Sequence, residues 1–311
     1  MKYCTILLIL LIYLIPVQTN AQNLSMDLNF NWQFRKEGES VWHKAKQVPG
    51  SIYSDLFYNN LIPDPYFRDN EKKLQWVDRV NWEYKTDIHI DTSDYLDMRN
   101  IELEMDGLDT YANIYLNGQL ILKADNMFRQ WSVNIKAITK PGWNELKIHF
   151  TSALNKVDSI AKTKLPLVLP DNNRVYVRKA QFQFGWDWGP KFVGCGIWKR
   201  ARINFWNKNK YLYKAPFKKP FAKLIQQKDS IGTSFYFEKD GKPIYIKGAN
   251  WIPGDAFLRN QNKRYYFDIL SLANKANMNM IRVWGGGVSH MRYFIVHLHR
   301  LLEAALPKQG S

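Results

Sequence analysis

Gln181-Phe182-Gln183-Phe184-Gly185-Trp186-Asp187-Trp188-Gly189-Pro190 packs two phenylalanines, two tryptophans, two glycines, a proline and an aspartate into ten positions. The alternation of Gln181, Phe182, Gln183 and Phe184 predicts a strand with one apolar face. Gly185, Gly189 and Pro190 are expected to break it, which places Trp186, Asp187 and Trp188 on a turn or loop. Two readings of that loop stand open. Tryptophans are most often core residues, and an aspartate among them often only caps a turn. Alternatively, a carboxylate held between indoles grips a sugar. The ring stacks its C–H face on an aromatic plane, and the carboxylate accepts bonds from hydroxyls.

Upstream of this stretch, from about Asn23, the pattern is short strands separated by turn signals, as in a β-sandwich. Phe30, Trp32 and Phe34 alternate, as do Trp82, Tyr84, Thr86, Ile88 and Ile90. Ile101–Met105 leads to Tyr111–Leu122, where Asn117-Gly118 separates two apolar runs and favours the positive φ angles of a tight hairpin. Pro141-Gly142 marks another turn before Leu146, Ile148 and Phe150. Ser152–Lys164 reads as a short helix ended by Pro166 and Pro170. Arg174–Phe184 reads as the strand feeding the opening stretch, and Cys195–Arg200 with Ile203–Trp206 closes the unit. Downstream, Ile231–Glu238 and Ile244–Ile246 flank the turn Asp240-Gly241. Arg264–Asn277 has helical spacing, and Met278–Trp284 is a fresh apolar strand stopped by Gly285–Gly287. Strand, helix, strand is the building block of an α/β barrel, with Trp251 and Trp284 at strand C-terminal ends, where such barrels build their sites.

The bulk numbers narrow the function. The chain has 311 residues, 46% hydrophobic and 15% aromatic, which supports a substantial core. Lys2 followed by the apolar run Ile6–Val17 and Thr19-Asn20-Ala21 reads as a signal peptide over 1–21, so the chain is expected to be exported, periplasmic or secreted. After signal cleavage no membrane partner is expected. Cys4 would leave with the leader, so Cys195 stands alone without an internal bridge. No Cys/His cluster has metal-ligand spacing, His297 and His299 being a bare H-x-H, and no metal or cofactor is expected. The net charge of +16 makes nucleic acid the first partner to consider. Its basic residues are spread along the chain rather than gathered in an arm. The richest run, Lys208–Lys223 with interleaved aromatics, reads better as a solvated linker, so no nucleic-acid partner is expected.

Several segments together resemble β-mannosidases, members of the retaining glycosidase family that includes β-galactosidases and β-glucuronidases (glycoside hydrolase family 2). They are the opening stretch with Asn173-Arg174-Val175, Pro65–Trp76 (PYFRDNEKKLQW), Gly196-Ile197-Trp198, Lys228–Phe237, Gly241–Asp255 (GKPIYIKGANWIPGD) and Asn279–Gly287 (NMIRVWGGG). The WDWGP loop with PYFRDNEKKLQW is specific to the mannosidase branch. The resemblance implies a mainly β chain: an N-terminal galactose-binding-like jelly-roll β-sandwich over 22–206, a linker and remnant of an immunoglobulin-like sandwich over 207–240, and the first βα unit of an (α/β)8 barrel over 241–287. Residues 288–311 form a tail that matches nothing in the family. An immunoglobulin-like domain needs about 100 residues, so the chain is expected to be internally shortened as well as C-terminally truncated.

By the same resemblance, Asp187 accepts hydrogen bonds from the mannose, Trp186 shapes the same site and Trp284 lines the sugar subsite. Arg282 matches the arginine that keeps the family's nucleophile ionised. Trp251 is a weaker candidate with an equal claim to a core role. The acid/base and nucleophile glutamates lie later in the family's barrel, so no catalytic residue is expected here, and these residues alone are expected to be inactive. Asn70-Glu71 and Asn144-Glu145 spell the acid/base pair without ending a barrel strand and read as structural. The implied partners are β-mannosides or mannose-containing oligosaccharides. The alternatives are a non-catalytic carbohydrate-binding module and a fragment of galactosidase or glucuronidase type, against which WDWGP argues.

Overall fold

The computed structural model describes residues 24–165, 172–207, 222–260 and 262–285. The expected leader, most of the basic linker and the 288–311 tail lie outside them. The first strands are β1 (Leu24–Asp27), β2 (Gln33–Lys36), β3 (His43–Lys44), β4 (Trp82–Ile90) and β5 (Asn100–Met105). They are followed by β6 (Tyr111–Leu116), β7 (Gln119–Asp125), β8 (Trp131–Asn134) and β9 (Gly142–Thr151). The hairpin β10 (Phe184–Trp186) and β11 (Gly189–Lys191) precedes β12 (Ala201–Trp206). A six-stranded sheet, β3-β2-β4-β9-β6-β7, and a four-stranded sheet, β1-β12-β5-β8, make a mainly β sandwich.

Alternation builds both inner faces. On β4, Trp82, Tyr84 and Thr86 point inward opposite Phe150, Ile148 and Leu146 of the antiparallel β9, and Ile88 and Ile90 continue the same buried face. From the smaller sheet come Ile101 and Leu103 of β5 and Ile203 and Phe205 of β12, all buried in the same apolar cluster. Burying each such side chain contributes about 1.5–3 kcal/mol. Asn117 (φ 50°) and Gly118 (φ 81°) form the expected two-residue turn between β6 and β7. β1 closes the smaller sheet by pairing with β12, Leu24 opposite Phe205 and Asp27 opposite Arg202.

Four expectations are corrected. Gln181–Gln183 is a 3-10 turn, not a strand. Phe182 and Gln183 are both buried, because the Gln183 amide donates to the buried Asp109 carboxylate at 3.0 Å and so turns a polar position inward. Phe30 is 77% exposed, outside the alternation of Trp32 and Phe34, since Asn31 at φ 64° redirects the chain. Cys195–Arg200 forms no strand. Cys195 and Ile197 instead offer their carbonyls to the amides of Ile52 and Gly50 at 2.9 Å, and Gly196 makes an isolated bridge with Asp109. Ile231 is exposed in a turn where the Asp229 carboxylate accepts from its amide and that of Gly232, so the strand starts only at Tyr236.

Helix α1 (Ile52–Tyr58) starts at Ser51, whose hydroxyl accepts from the Ser54 amide, and it buries Asp55 against the sandwich. The Asp55 carboxylate accepts from the Tyr84 hydroxyl at 2.7 Å and the Lys46 amide at 2.8 Å. Burial outweighs both bonds and pushes its carboxyl from 3.8 up to about 7. Between those values the folded chain holds a proton that the unfolded chain has lost, so this group's stabilisation is lost as pH rises through the window. Asn at this position stands for the protonated form. In urea titrations, Asp55→Asn is therefore expected to gain on the wild type by on the order of 2 kcal/mol between pH 4 and pH 7.5. A difference that stays flat with pH would remove Asp55 as the cause.

Beyond the sandwich, β13 (Lys223–Ile225), β14 (Tyr236–Lys239) and β15 (Lys242–Ile244) form a three-stranded antiparallel sheet, with Asp240-Gly241 as the β14–β15 turn. β16 (Gly248–Trp251) and β17 (Met280–Val283) then pair in parallel across α2 (Lys263–Lys275). This is the strand–helix–strand unit expected from the sequence. Among the described residues no helix is long and apolar enough to cross a membrane. No group of three or more His, Cys, Asp or Glu is placed among them to hold a metal ion.

Candidate functional site

The β10–β11 hairpin is fixed at its base and open at its tip. Lys191 ends β11, and its amide donates to Glu71 Oε1 at 2.7 Å while its carbonyl accepts from Gln75 Nε2 at 2.9 Å. Two side chains from PYFRDNEKKLQW thus hold this peptide as a neighbouring strand would. That is a structural role for Glu71. Asn144 is buried, with its Oδ1 taking bonds from Asn117 Nδ2 and the Lys140 amide, so the Asn144-Glu145 pair is also structural.

Beneath the hairpin lies a buried ion pair. Lys179 Nζ is 2.5 Å from Asp109 Oδ1 and donates at 2.7 Å to the Gly194 carbonyl. Thr110 Oγ1 and Gln183 Nε2 complete the Asp109 shell. The 3-10 turn that leads into the hairpin is therefore tied to the sandwich by charge.

At the tip, Trp186 and Trp188 flank Asp187. Trp284, which follows β17, packs edge-to-face against both, with centroids 4.9 Å from Trp186 and 5.4 Å from Trp188. Trp284 is placed by its amide, which donates to the Trp251 carbonyl at 2.9 Å. Trp188 and Trp284 also rest on a cluster of Met127, Ala180, Phe182, Trp198 and Leu258. Trp186 stays 40% exposed. Asp187 is exposed, and its side chain makes no hydrogen bond or ion pair with another described residue. An exposed carboxylate acceptor can receive hydroxyls.

The site residues expected from the sequence thus separate into two groups. Trp186, Asp187 and Trp284 come together. Arg282 is exposed on β17 and donates to Asn250 Oδ1 at 3.1 Å, on the strand face opposite Trp251. Trp251 is buried and stacks on Tyr266 of α2 at 5.7 Å and 18°, a core position.

A pocket of about 340 Å³ beside the hairpin includes Tyr66, Phe182, Trp188, Pro253 and Asp255 in its wall. Tyr66 and Asp255 were not singled out as site residues by sequence, because 189 positions separate them. The Tyr66 hydroxyl donates to Asp255 Oδ1 at 2.6 Å and accepts from the Ala256 amide. Burial and the Asp255 carboxylate raise the Tyr66 phenol, which keeps it a donor. Asp255 also accepts from the Phe257 amide and Asn260 Nδ2. It is a structural acceptor that binds the 253–260 loop to the sandwich.

Comparison with known proteins agrees with this architecture. The description "Glycosyl hydrolase 2 galactose-binding domain-like" matches residues 32–199. Beta-mannosidase B of Thermothelomyces thermophilus is 27% identical over 374 aligned positions, covering 88% of this chain and 44% of the relative. Beta-mannosidase of Capra hircus is 27% identical, covering 91% of this chain and 45% of the relative. The crystal structure of beta-D-mannosidase from Dictyoglomus thermophilum superposes with a TM-score of 0.83 at 29% identity, over 89% of this chain and 46% of that one. The chain thus spans less than half the length of the relatives it matches. In the first alignment, 88% of 311 residues is about 274, so about 100 of the 374 positions face no residue here. With the two-sheet sandwich observed and more than half of its residues matched, this chain belongs to the glycosyl hydrolase 2 galactose-binding domain-like family.

Proposed function

We infer that the chain carries the sugar-facing wall of a glycosidase acting on terminal β-linked mannose. The observation that carries this reading is the exposed Asp187 carboxylate, which no other described residue engages, next in sequence to Trp186 and Trp188, whose rings both pack on Trp284. The indoles offer stacking surface, and the carboxylate accepts sugar hydroxyls. Mannosidase relatives across most of the chain support mannose over other hexoses.

Gripping is the wall's task on this reading. Retaining hydrolysis needs two carboxyl groups about 5–5.5 Å apart, one to protonate the leaving oxygen and one to attack the anomeric carbon. Asp255, the acidic residue in the pocket wall, is engaged by Tyr66, Phe257 and Asn260. On this reading the two catalytic carboxylates are not among the described residues of this wall, and Arg282, by the family resemblance, would hold the nucleophile ionised. The roughly 100 unmatched alignment positions fit an internal shortening near 207–240.

Calorimetry of the 311-residue chain should detect β-1,4-mannobiose binding at millimolar sugar, while an aryl β-mannoside should release no product. Absence of heat would defeat the wall assignment. Turnover that survives a contaminant control would show that the chain does hold its own catalytic carboxylates.

A further inference from the structure

The chain leaving the hairpin is held along both edges. On one edge, the Phe192 amide donates to the Gln183 carbonyl at 2.9 Å. On the other, three side chains take the place of a strand. Lys191 gives its amide to Glu71 Oε1 at 2.7 Å and takes Gln75 Nε2 on its carbonyl at 2.9 Å, and Val193 gives its amide to Asp78 Oδ2 at 3.0 Å. Peptide groups two residues apart in an extended chain face the same edge, which is why 191 and 193 are the pair engaged. Glu71, Gln75 and Asp78 fit that edge because their i, i+4, i+7 spacing puts them on one face of two consecutive short helices, Asn70–Lys73 and Gln75–Arg79. Asp78 is anchored in the sandwich. It is buried, its Oδ1 accepts from the Tyr53 hydroxyl at 2.8 Å, and its carbonyl accepts from Ser152 Oγ at 2.5 Å.

What this clamp fixes is the tip. β10 and β11 have three residues each, with Phe184 opposite Lys191 and Trp186 opposite Gly189. Only Gly189 and Pro190 separate the clamped peptide from Trp188. Gly185, at φ 85°, passes so close to Lys191 that a Cβ there would sit 3.0 Å from the Lys191 Cβ. A shift of Lys191 therefore carries both arms of the hairpin. The Asp187 side chain has no bond to another described residue that would hold it against such a shift. A binding group has to be kept within about 0.5 Å of its productive place.

We propose that Glu71, Gln75 and Asp78 are positioning residues for sugar binding, setting through Lys191 and Val193 where Asp187 and Trp186 meet the sugar. The proposal rests on the sugar-facing reading of the tip. It adds that affinity depends on three side chains that do not themselves touch the sugar.

The test measures β-1,4-mannobiose affinity by calorimetry on the full chain, well below the unfolding temperature of each variant. Glu71→Ala is expected to weaken binding about fivefold, the equivalent of one hydrogen bond. Glu71→Gln keeps an acceptor oxygen for the Lys191 amide and should recover most of that loss. A clamp that only stabilised the fold would lower the unfolding temperature and leave affinity alone. The second readout is the tip itself. Trp284 lies 4.9 Å from Trp186 and 5.4 Å from Trp188, so the three rings should contribute an exciton band to the circular dichroism. The part that Trp284→Phe removes is theirs, which separates it from the Trp76–Trp82 pair. Glu71→Ala should diminish that part, and Glu71→Gln should restore it. If Glu71→Ala does not fold, Gln75→Ala, which removes the bond at the Lys191 carbonyl, takes its place. Unchanged affinity, or weaker binding with the exciton part intact, overturns the proposal. If the wild-type chain binds no mannobiose, the sugar-facing reading has failed and the exciton part decides. Its loss in Glu71→Ala and return in Glu71→Gln keep the three residues as the device that places the tip, and no change ends the proposal.

Discussion

Lys179→Met is expected to cost about 3–5 kcal/mol of folding stability, the usual consequence of removing one partner of a buried ion pair. The Lys179 side chain is 0% exposed and its partner Asp109 is 6% exposed. Without the ammonium, Asp109 keeps only two neutral donors, Thr110 and Gln183, and the Gly194 carbonyl loses its bond. Domains are stable by about 5–15 kcal/mol in total, so the variant should sit near its unfolding threshold. One further measurement separates this cause from a simple packing defect. The double variant Lys179→Met with Asp109→Asn should regain part of the loss, since a neutral pair carries no stranded charge. Urea titrations of the single and double variants would read it. A single variant within about 1 kcal/mol of wild type would mean that the pair contributes little.

The second large effect concerns binding. Asp187→Ala should weaken β-1,4-mannobiose binding by about 10- to 100-fold, because hydrogen bonds to a charged group contribute about 1.5–3 kcal/mol and each 1.4 kcal/mol is tenfold. The fold should not respond, because the Asp187 side chain is exposed and holds no other described residue. Unchanged thermal unfolding with lost calorimetric heat is the expected pair of results. Full affinity in the variant would assign the tip aspartate to solvent and leave the indoles as a packing cluster.

These two residues also mark what the sequence could convey. The turn position of Asp187 was legible because its setting is local: two indoles and two turn-forming glycines within a few positions. The same holds for Asn117-Gly118 and Asp240-Gly241, where positive φ is a property of the dipeptide itself. It holds too for β16, α2 and β17, whose periods change from strand to helix and back. Lys179 was not legible. Its partner lies 70 positions away, and a lysine next to alternating glutamine and phenylalanine reads as an ordinary solvent-facing residue. The same long-range bond network misled the reading of Gln181–Phe184, since a polar residue that finds a buried partner breaks the outward rule of alternation. Helix α1 is only seven residues long, too short for its period to stand out from the strands around it. Tyr66 and Asp255 sit in segments that carry the family resemblance, but nothing in either segment names the other.

The pairing of β1 with β12 has a consequence for how the sandwich comes into being. Leu24 waits for Phe205, and Asp27 for Arg202. At a synthesis rate of about 5–20 residues per second, β1 has emerged roughly 9–35 seconds before its partner exists. Throughout that interval the first strand of the domain is an unpaired edge bearing Leu24 and Met26. Such non-local closure is the slow step in β folds, because loop entropy is lost before any contact is gained. Nascent chains of this protein should therefore mature late and all at once, when Ala201–Trp206 arrives, and a chain interrupted shortly before that point would leave β1 unpaired and β5 as an open edge to its neighbours.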